Sequence, residues 1–225
     1  MLTSILCIVV FVVILSIAYF FKPIGTKKIT EELFAVNSGI VNIYAVRTNN
    51  GYAVFDAGMN PFFIKLGLKR LGIDPAGVTH VFLTHTDYDH KGGLGVFKNA
   101  ERFIGADEEQ MINGQTTRRF IIKNSLKPPY RTLSDNETVD AGGVPVTVYF
   151  TPGHTPGSVS YLIGKRFLMT GDLLRISRKG EILPFMRMMN KDHAMVVKNA
   201  EAIKPVVNES EILLTSHTGI KKIKQ

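Results

Sequence analysis

"LTHTDYDHKGG", Leu83 to Gly93, sets the reading of this chain. It places His85, Asp87, Asp89 and His90 within six positions and closes on two glycines. The apolar run leading into it, "THVFLTH" (Thr79–His85), has the content of a buried β-strand. Imidazole offers a neutral nitrogen and carboxylate a hard oxygen, so all four side chains are metal-ligand types. Residues two apart on an extended loop point the same way. That alternation predicts that His85, Asp87 and Asp89 converge while His90 points elsewhere, with one metal on each side of the loop. Gly92 and Gly93 read as a tight backbone turn before the next helix.

Three later segments offer further ligands. "TPGHTPGS" holds His154 between two Pro-Gly turns, "TGDLL" puts Asp172 at the end of an apolar run, and "LLTSHTG" puts His217 at the end of another. Any one of these residues alone reads more simply as a satisfied core histidine, a surface group or a helix cap. Together they are a dense His/Asp loop after an apolar strand, then His, Asp and His at later strand ends. A carboxylate at the end of a buried strand needs a partner, and shared metal supplies one. Of the six histidines, His80 and His193 fall outside this pattern. They read as strand packing or surface and as helix surface, and Tyr88 reads as a packing aromatic.

The rest of the body alternates in type. "IVNIYAVRT" (Ile40–Thr48) and "YAVFDAG" (Tyr52–Gly58) flank Asn49-Asn50-Gly51, a hairpin signal. Asn60 caps "PFFIKLGLKRLG", with Pro61 at the first helical position. "LGVFKNA", "DEEQMING" and a segment from about Asn190 to Lys204 read as helices. Val144–Phe150, Ser158–Gly164, Arg166–Asp172 and Glu211–His217 read as strands. Strands in runs, with helices between and after them, predict an α+β fold of two sheets covered by helices. No internal repeat or linker divides the body, which is long enough for one ordinary core.

The first 21 residues, "MLTSILCIVVFVVILSIAYFF", carry no charged side chain. About 20 apolar residues rising about 1.5 Å each span a hydrocarbon core of about 30 Å. Residues 1–21 therefore read as an uncleaved transmembrane anchor and residues 22–30 as a juxtamembrane linker. The segment lacks the basic start and clear cleavage site of a signal peptide. Lys22, Lys27 and Lys28 follow the run, which predicts a single-pass protein with its body on the cytoplasmic side. The chain carries 27 basic against 19 acidic residues, but the excess is scattered, so no nucleic-acid partner is expected. The single cysteine, Cys7, excludes an internal disulfide and a Cys-rich zinc finger.

"LTHTDYDHKGG", "TPGHTPGS", "TGDLL" and "SHTG", in this order, resemble the metallo-β-lactamase superfamily of hydrolases, and "YAVFDAGMN" resembles its approach to the site. The resemblance covers residues 31–225 and implies a four-layer αββα sandwich with a dinuclear site at one edge. It places His85, Asp87 and His154 on a first metal and Asp89, His90 and His217 on a second. Asp172 would bridge them, and Asp56 would brace the loop from behind. The usual pattern is His-x-His-x-Asp-His, and Asp87 stands where the second His is usual. Its carboxylate makes the first site harder and more anionic, so manganese or iron stand beside zinc, the first expectation. A second departure is "SHTG", where a Gly-His-Gly type ending is common.

The resemblance implies a metal-dependent hydrolase in which a bridging hydroxide attacks an electrophilic centre, with Asp89 and Asp172 as catalytic residues. Asp172 as bridge resembles the thioesterase and lactonase branches, which points to a small ester, thioester or lactone. The positive charge keeps a phosphodiesterase or nuclease as one alternative. The Asp87 departure keeps a non-catalytic, membrane-tethered metal binder as the other.

Overall fold

The computed structural model describes residues 21–117 and 124–224. The apolar run before Phe21 lies outside the described residues. Among those described, no helix is long and apolar enough to cross a membrane.

A seven-stranded sheet runs in chain order through β1 (Lys27–Lys28), β2 (Leu33–Asn37), β3 (Asn42–Thr48), β4 (Gly51–Phe55), β5 (Val78–Phe82), β6 (Glu101–Gly105) and β7 (Arg131–Leu133). Strands β1 to β4 pair antiparallel, and β4 to β7 pair parallel. A second sheet collects β8 (Thr138–Asp140), β9 (Pro145–Phe150), β10 (Val159–Ile163) and β11 (Phe167–Met169). A separate ribbon, β12 (Leu174–Ile176) with β13 (Ile182–Pro184), follows. Then β14 (Ile212–Thr215) and β15 (Gly219–Lys222) complete the second sheet in the order β15-β14-β11-β10-β9-β8.

The period-2 alternation of side chains builds the layers. In β3, Tyr44 and Val46 face the other sheet while Ile43 and Ala45 face outward under a helix. In β14, Ile212 and Leu214 face inward while Leu213 faces the opposite helices. The central core between the sheets includes Phe55, Phe82, Phe103, Tyr161 and Phe167. Phe55 and Phe103 stack on Phe82 at 5.2 and 4.6 Å between ring centres. Outside the first sheet, α1 (Pro61–Arg70) lays down Ile64 and Leu68. Asn60 caps it, its side chain accepting from Phe62 N–H at 2.9 Å. Outside the second sheet, Val196, Ala200 and Val207 pack down from the helices His193–Ala202 and Lys204–Glu209. Three cores between four layers give an αββα sandwich.

Several elements differ from the sequence reading. "LGVFKNA" contains only a 3-10 turn at Leu94–Val96, and "DEEQMING" only short turns at Ala106–Glu108 and Glu109–Ile112. Strands β2, β6, β7, β8 and β15 and the β12–β13 ribbon carried no separate signal, being short or opened by charged residues. Residues 22–30, read as a linker, are bonded to the body: β1 pairs with β2, and Ile24 N–H donates to Asn42 Oδ1 at 2.8 Å.

Candidate metal centre

Five strands end at the same edge of the sandwich, and each delivers a polar residue as its apolar run stops. Asp56 follows β4, the His85–His90 loop follows β5, His154 follows β9, Asp172 follows β11 and His217 follows β14. His85, His90, His154 and His217 are all at most 3% exposed.

The histidines share one arrangement: each Nδ1 has a partner and each Nε2 faces the shared centre. His217 Nδ1–H donates to the Ile40 carbonyl at 2.8 Å, and His90 Nδ1 meets Asp56 Oδ2 at 2.8 Å. His85 Nδ1 meets Thr84 Oγ1 at 3.0 Å, and His154 Nδ1 meets Asn190 Oδ1 at 3.2 Å. Partners of this kind fix ring orientation and leave the Nε2 lone pair for a metal. On the inner side, His154 Nε2 lies 3.3 Å from Asp87 Oδ2 and 3.3 Å from Asp172 Oδ2. His217 Nε2 lies 3.4 Å from Asp89 Oδ2 and 3.3 Å from Asp172 Oδ1. The two oxygens of Asp172 thus face different histidines.

Ligand atoms group as His85, Asp87 and His154; as His85, His90 and Asp172; and as Asp89, His90 and His217, each set lying within 4.8 Å. Three buried atoms here, His85 Nε2, His90 Nε2 and Asp172 Oδ1, have no hydrogen-bond partner among the described residues. Buried polar atoms rarely stay unpaired. Three of them pointing at one another, among nitrogen and carboxylate donors, fit a divalent metal site.

The alternation expected along the loop holds only as far as Asp87. Tyr88–Lys91 winds into a helical turn, so Asp89 joins His90 and His217 rather than His85 and Asp87. His90 does not point away, since its ring centre is 3.9 Å from that of His85. The glycine pair also has another cause. Gly92 has φ −58° and Gly93 φ −93°, both open to any residue. What requires glycine is close approach: a Cβ would lie 2.5 Å from the Met59 carbonyl oxygen at Gly92 and 2.2 Å from that of Ala57 at Gly93. Tyr88 is 66% exposed rather than packed. His80 lies partly buried within β5, its ring stacked over Phe103 at 5.8 Å.

Several bracing residues carried no sequence signal. Glu108 is fully buried and accepts from Thr86 N–H and Oγ1, both at 2.7 Å, from Thr155 Oγ1 at 2.6 Å and from Gly157 N–H at 3.2 Å. It ties the His85–Asp87 loop to the His154 loop, and burial raises its pKa. Asn124 Nδ2 donates to Asp87 Oδ1 at 3.0 Å, which turns Oδ2 toward the histidines. Asn190 Nδ2 meets His193 Nδ1 at 2.9 Å. His193, read as helix surface, therefore braces the group that orients His154.

The electrostatics follow from burial and crowding. Burial works against a charged His90, but Asp56, Asp89 and Asp172 outweigh it and raise its pKa to about 10. Burial works against an ionised Asp172, but His217, His90 and His154 outweigh it and hold its pKa well below the carboxylate range. This edge therefore holds cations strongly, as protons or as metal.

Residues 36–217 match the Metallo-beta-lactamase superfamily. Among curated proteins, an N-acyl homoserine lactonase, AttM of Agrobacterium fabrum, is 32% identical over 117 residues, 47% of this chain and 44% of that protein. The chain therefore spans less than half the length of that relative. YobT of Bacillus subtilis is 28% identical over 189 residues, 72% of this chain and 77% of that protein. Among solved structures, a B3 metallo-β-lactamase with an active-site glutamic acid superposes with a TM-score of 0.69 at 19% identity, over 93% of this chain and 86% of that one. At that identity the likeness speaks for the fold, and the match over residues 36–217 for the lineage. The chain belongs to the metallo-β-lactamase superfamily.

Proposed function

We propose that this protein is a dinuclear metal-dependent hydrolase acting on a small lactone, ester or thioester. The observation that carries the reading is the convergence of four histidine Nε2 atoms and three carboxylates on one buried edge, each imidazole held from behind. In this reading His85, Asp87 and His154 hold one ion, Asp89, His90 and His217 hold the other, and Asp172 is shared. Zinc is the first candidate, and the extra carboxylate of Asp87 keeps manganese or iron as the alternatives. Such ions supply Lewis acidity and a water acidified to near neutrality.

The protein's own groups divide the remaining work. Asp89 has the most exposed side chain of the three carboxylates, 26% against 16% for Asp87 and 4% for Asp172. As the carboxylate nearest the open side of the site, it is assigned the transfer of a proton to the departing leaving group. Asp172 is the shared anchor, and Asp56 holds His90 in orientation. The lactonase name borne by a relative puts lactones first among substrates. Exposed Tyr88, within the loop, would suit a substrate with an acyl arm. In the same reading residues 1–21 anchor the protein with its domain on the cytoplasmic side, which protease accessibility in oriented vesicles would test.

The deciding experiment uses the full chain in non-ionic detergent, purified without chelator. About two metals per chain, and turnover on a lactone, ester and thioester panel that chelator abolishes, are expected. Asp172→Ala with full activity would sink the assignment. Metal bound without turnover on that panel or on phosphodiesters would favour a non-catalytic role instead.

A further inference from the structure

An open cleft of about 800 Å³ lies beside the metal centre, between the segment that starts at Lys22 and the β12–β13 ribbon. Among the described residues, its walls carry Lys22, Lys27, Arg175, Arg178 and Lys179 against one carboxylate, Glu181. Glu181 Oε2 already accepts from Ser177 Oγ at 3.0 Å, and neighbouring Lys221 is committed to the Gly180 carbonyl at 2.5 Å. The walls are fixed. Lys22 N–H donates to the His217 carbonyl at 2.7 Å, and Ile176 N–H donates to Thr218 Oγ1 at 2.8 Å. Arg175, partly buried, lines this frame, and its Nε has no hydrogen-bond partner among the described residues.

A planar guanidinium among point-charge ammonium groups suits a tetrahedral oxyanion, with Arg giving directed hydrogen bonds and Lys giving field. The cleft also begins one residue after the uncharged stretch Met1–Phe21, where lysines favour an anionic leaflet. We propose that this cleft is a binding site for a phosphate group, carried by an anionic lipid headgroup or by a soluble phosphate ester. The site requires neither metal nor turnover, so it stands or falls separately from the hydrolase reading.

The test is calorimetric titration of the full chain in non-ionic micelles with inorganic phosphate, repeated in micelles doped with phosphatidylglycerol or phosphatidylcholine. Saturable phosphate binding is expected, weakened at least tenfold by Arg175→Gln and weakened also by raised salt. Lys27→Gln with Lys179→Gln, on the exposed rim, should weaken it severalfold, and this pair keeps the test open should Arg175→Gln fail to fold. Competition by phosphatidylglycerol but not phosphatidylcholine identifies a lipid headgroup as the source. Phosphate binding without such competition identifies a soluble ester, and either result supports the site. Phosphate held only at the metal centre would persist in both variants. Persistence in both, or no binding at all, overturns the proposal.

Discussion

Asp56 occupies the left-handed region at φ 59°, a conformation a non-glycine residue adopts only when its surroundings hold it there. The holding bonds are also its work. Its carboxylate accepts from Thr84 N–H at 2.8 Å, from Thr84 Oγ1 at 3.0 Å and from Ser216 Oγ at 3.3 Å, and it faces His90 Nδ1 at 2.8 Å. Asp56→Asn keeps the shape and removes the charge that makes His90 a stronger base. A loss of about 10- to 100-fold in metal affinity is expected. Competition with a chromophoric chelator measures it, and a change below about twofold would place Asp56 outside the metal's influence. Asp87 makes a second residue-scale case. Asn124 turns its Oδ2 toward His85 and His154, at 3.6 and 3.3 Å. Asp87→His replaces a hard oxygen with an imidazole nitrogen and should shift the zinc-to-manganese occupancy ratio toward zinc by about tenfold. Elemental analysis after loading with equimolar metals reads the ratio; an unchanged ratio would mean that Asp87 does not set selectivity.

The loop after β5 is held by backbone packing as much as by hydrogen bonds. Gly93 N–H donates to the Ala57 carbonyl at 3.1 Å, and a Cβ there would also lie 2.1 Å from Ile64 Cδ1 on α1. Gly93→Ala is compatible with the backbone angles, so its cost is steric: about 1–3 kcal/mol, read by denaturant unfolding. A cost under about 0.5 kcal/mol would show that loop and helix separate easily. The same element shows what sequence can disclose. Ligands at strand ends are legible, because an apolar run that stops at a His or Asp is a local pattern, as at His85, Asp172 and His217. The direction of Asp89 is not, because period-2 reasoning assumes an extended chain and Tyr88–Lys91 winds up. The pairing of Asn190 with His154 spans 36 residues and leaves no spacing signature. Glu108 sits in an acidic stretch that reads as solvated helix, yet Thr86, Thr155 and Gly157 draw it fully inside. Strand β6 was hidden by its charged opening, Glu101-Arg102, since only Phe103 to Gly105 is buried.

At the scale of the whole molecule, one edge of the sandwich concentrates four imidazoles and the carboxylates of Asp56, Asp87, Asp89 and Asp172, and its charge balance couples folding to pH and metal. In chelator-stripped protein, protons must take the place of metal. His90, with its pKa raised to about 10, and His217, also raised, then contribute stability that is complete below the ordinary histidine value of about 6.5. That contribution fades as pH rises through their folded values. Asp87 and Asp172 are depressed, so their contribution is present above about 3.9 and is lost only well below it. Stripped protein is therefore expected to be most stable between about pH 4 and 6.5, weakening toward pH 10. Metal has the opposite trend, because it must displace the protons on His90 and His217, and each unit of pH makes that easier. Free metal at about 1,000 times its Kd adds about 4 kcal/mol, roughly 10 °C in Tm for a chain of this size. The gap in Tm between loaded and stripped protein should accordingly widen from pH 6 to pH 9. Thermal unfolding at a series of pH values, with and without chelator, measures it. A gap that stays constant or narrows would mean that the imidazoles of the stripped centre are already neutral, and that the carboxylates around His90 do not control the metal.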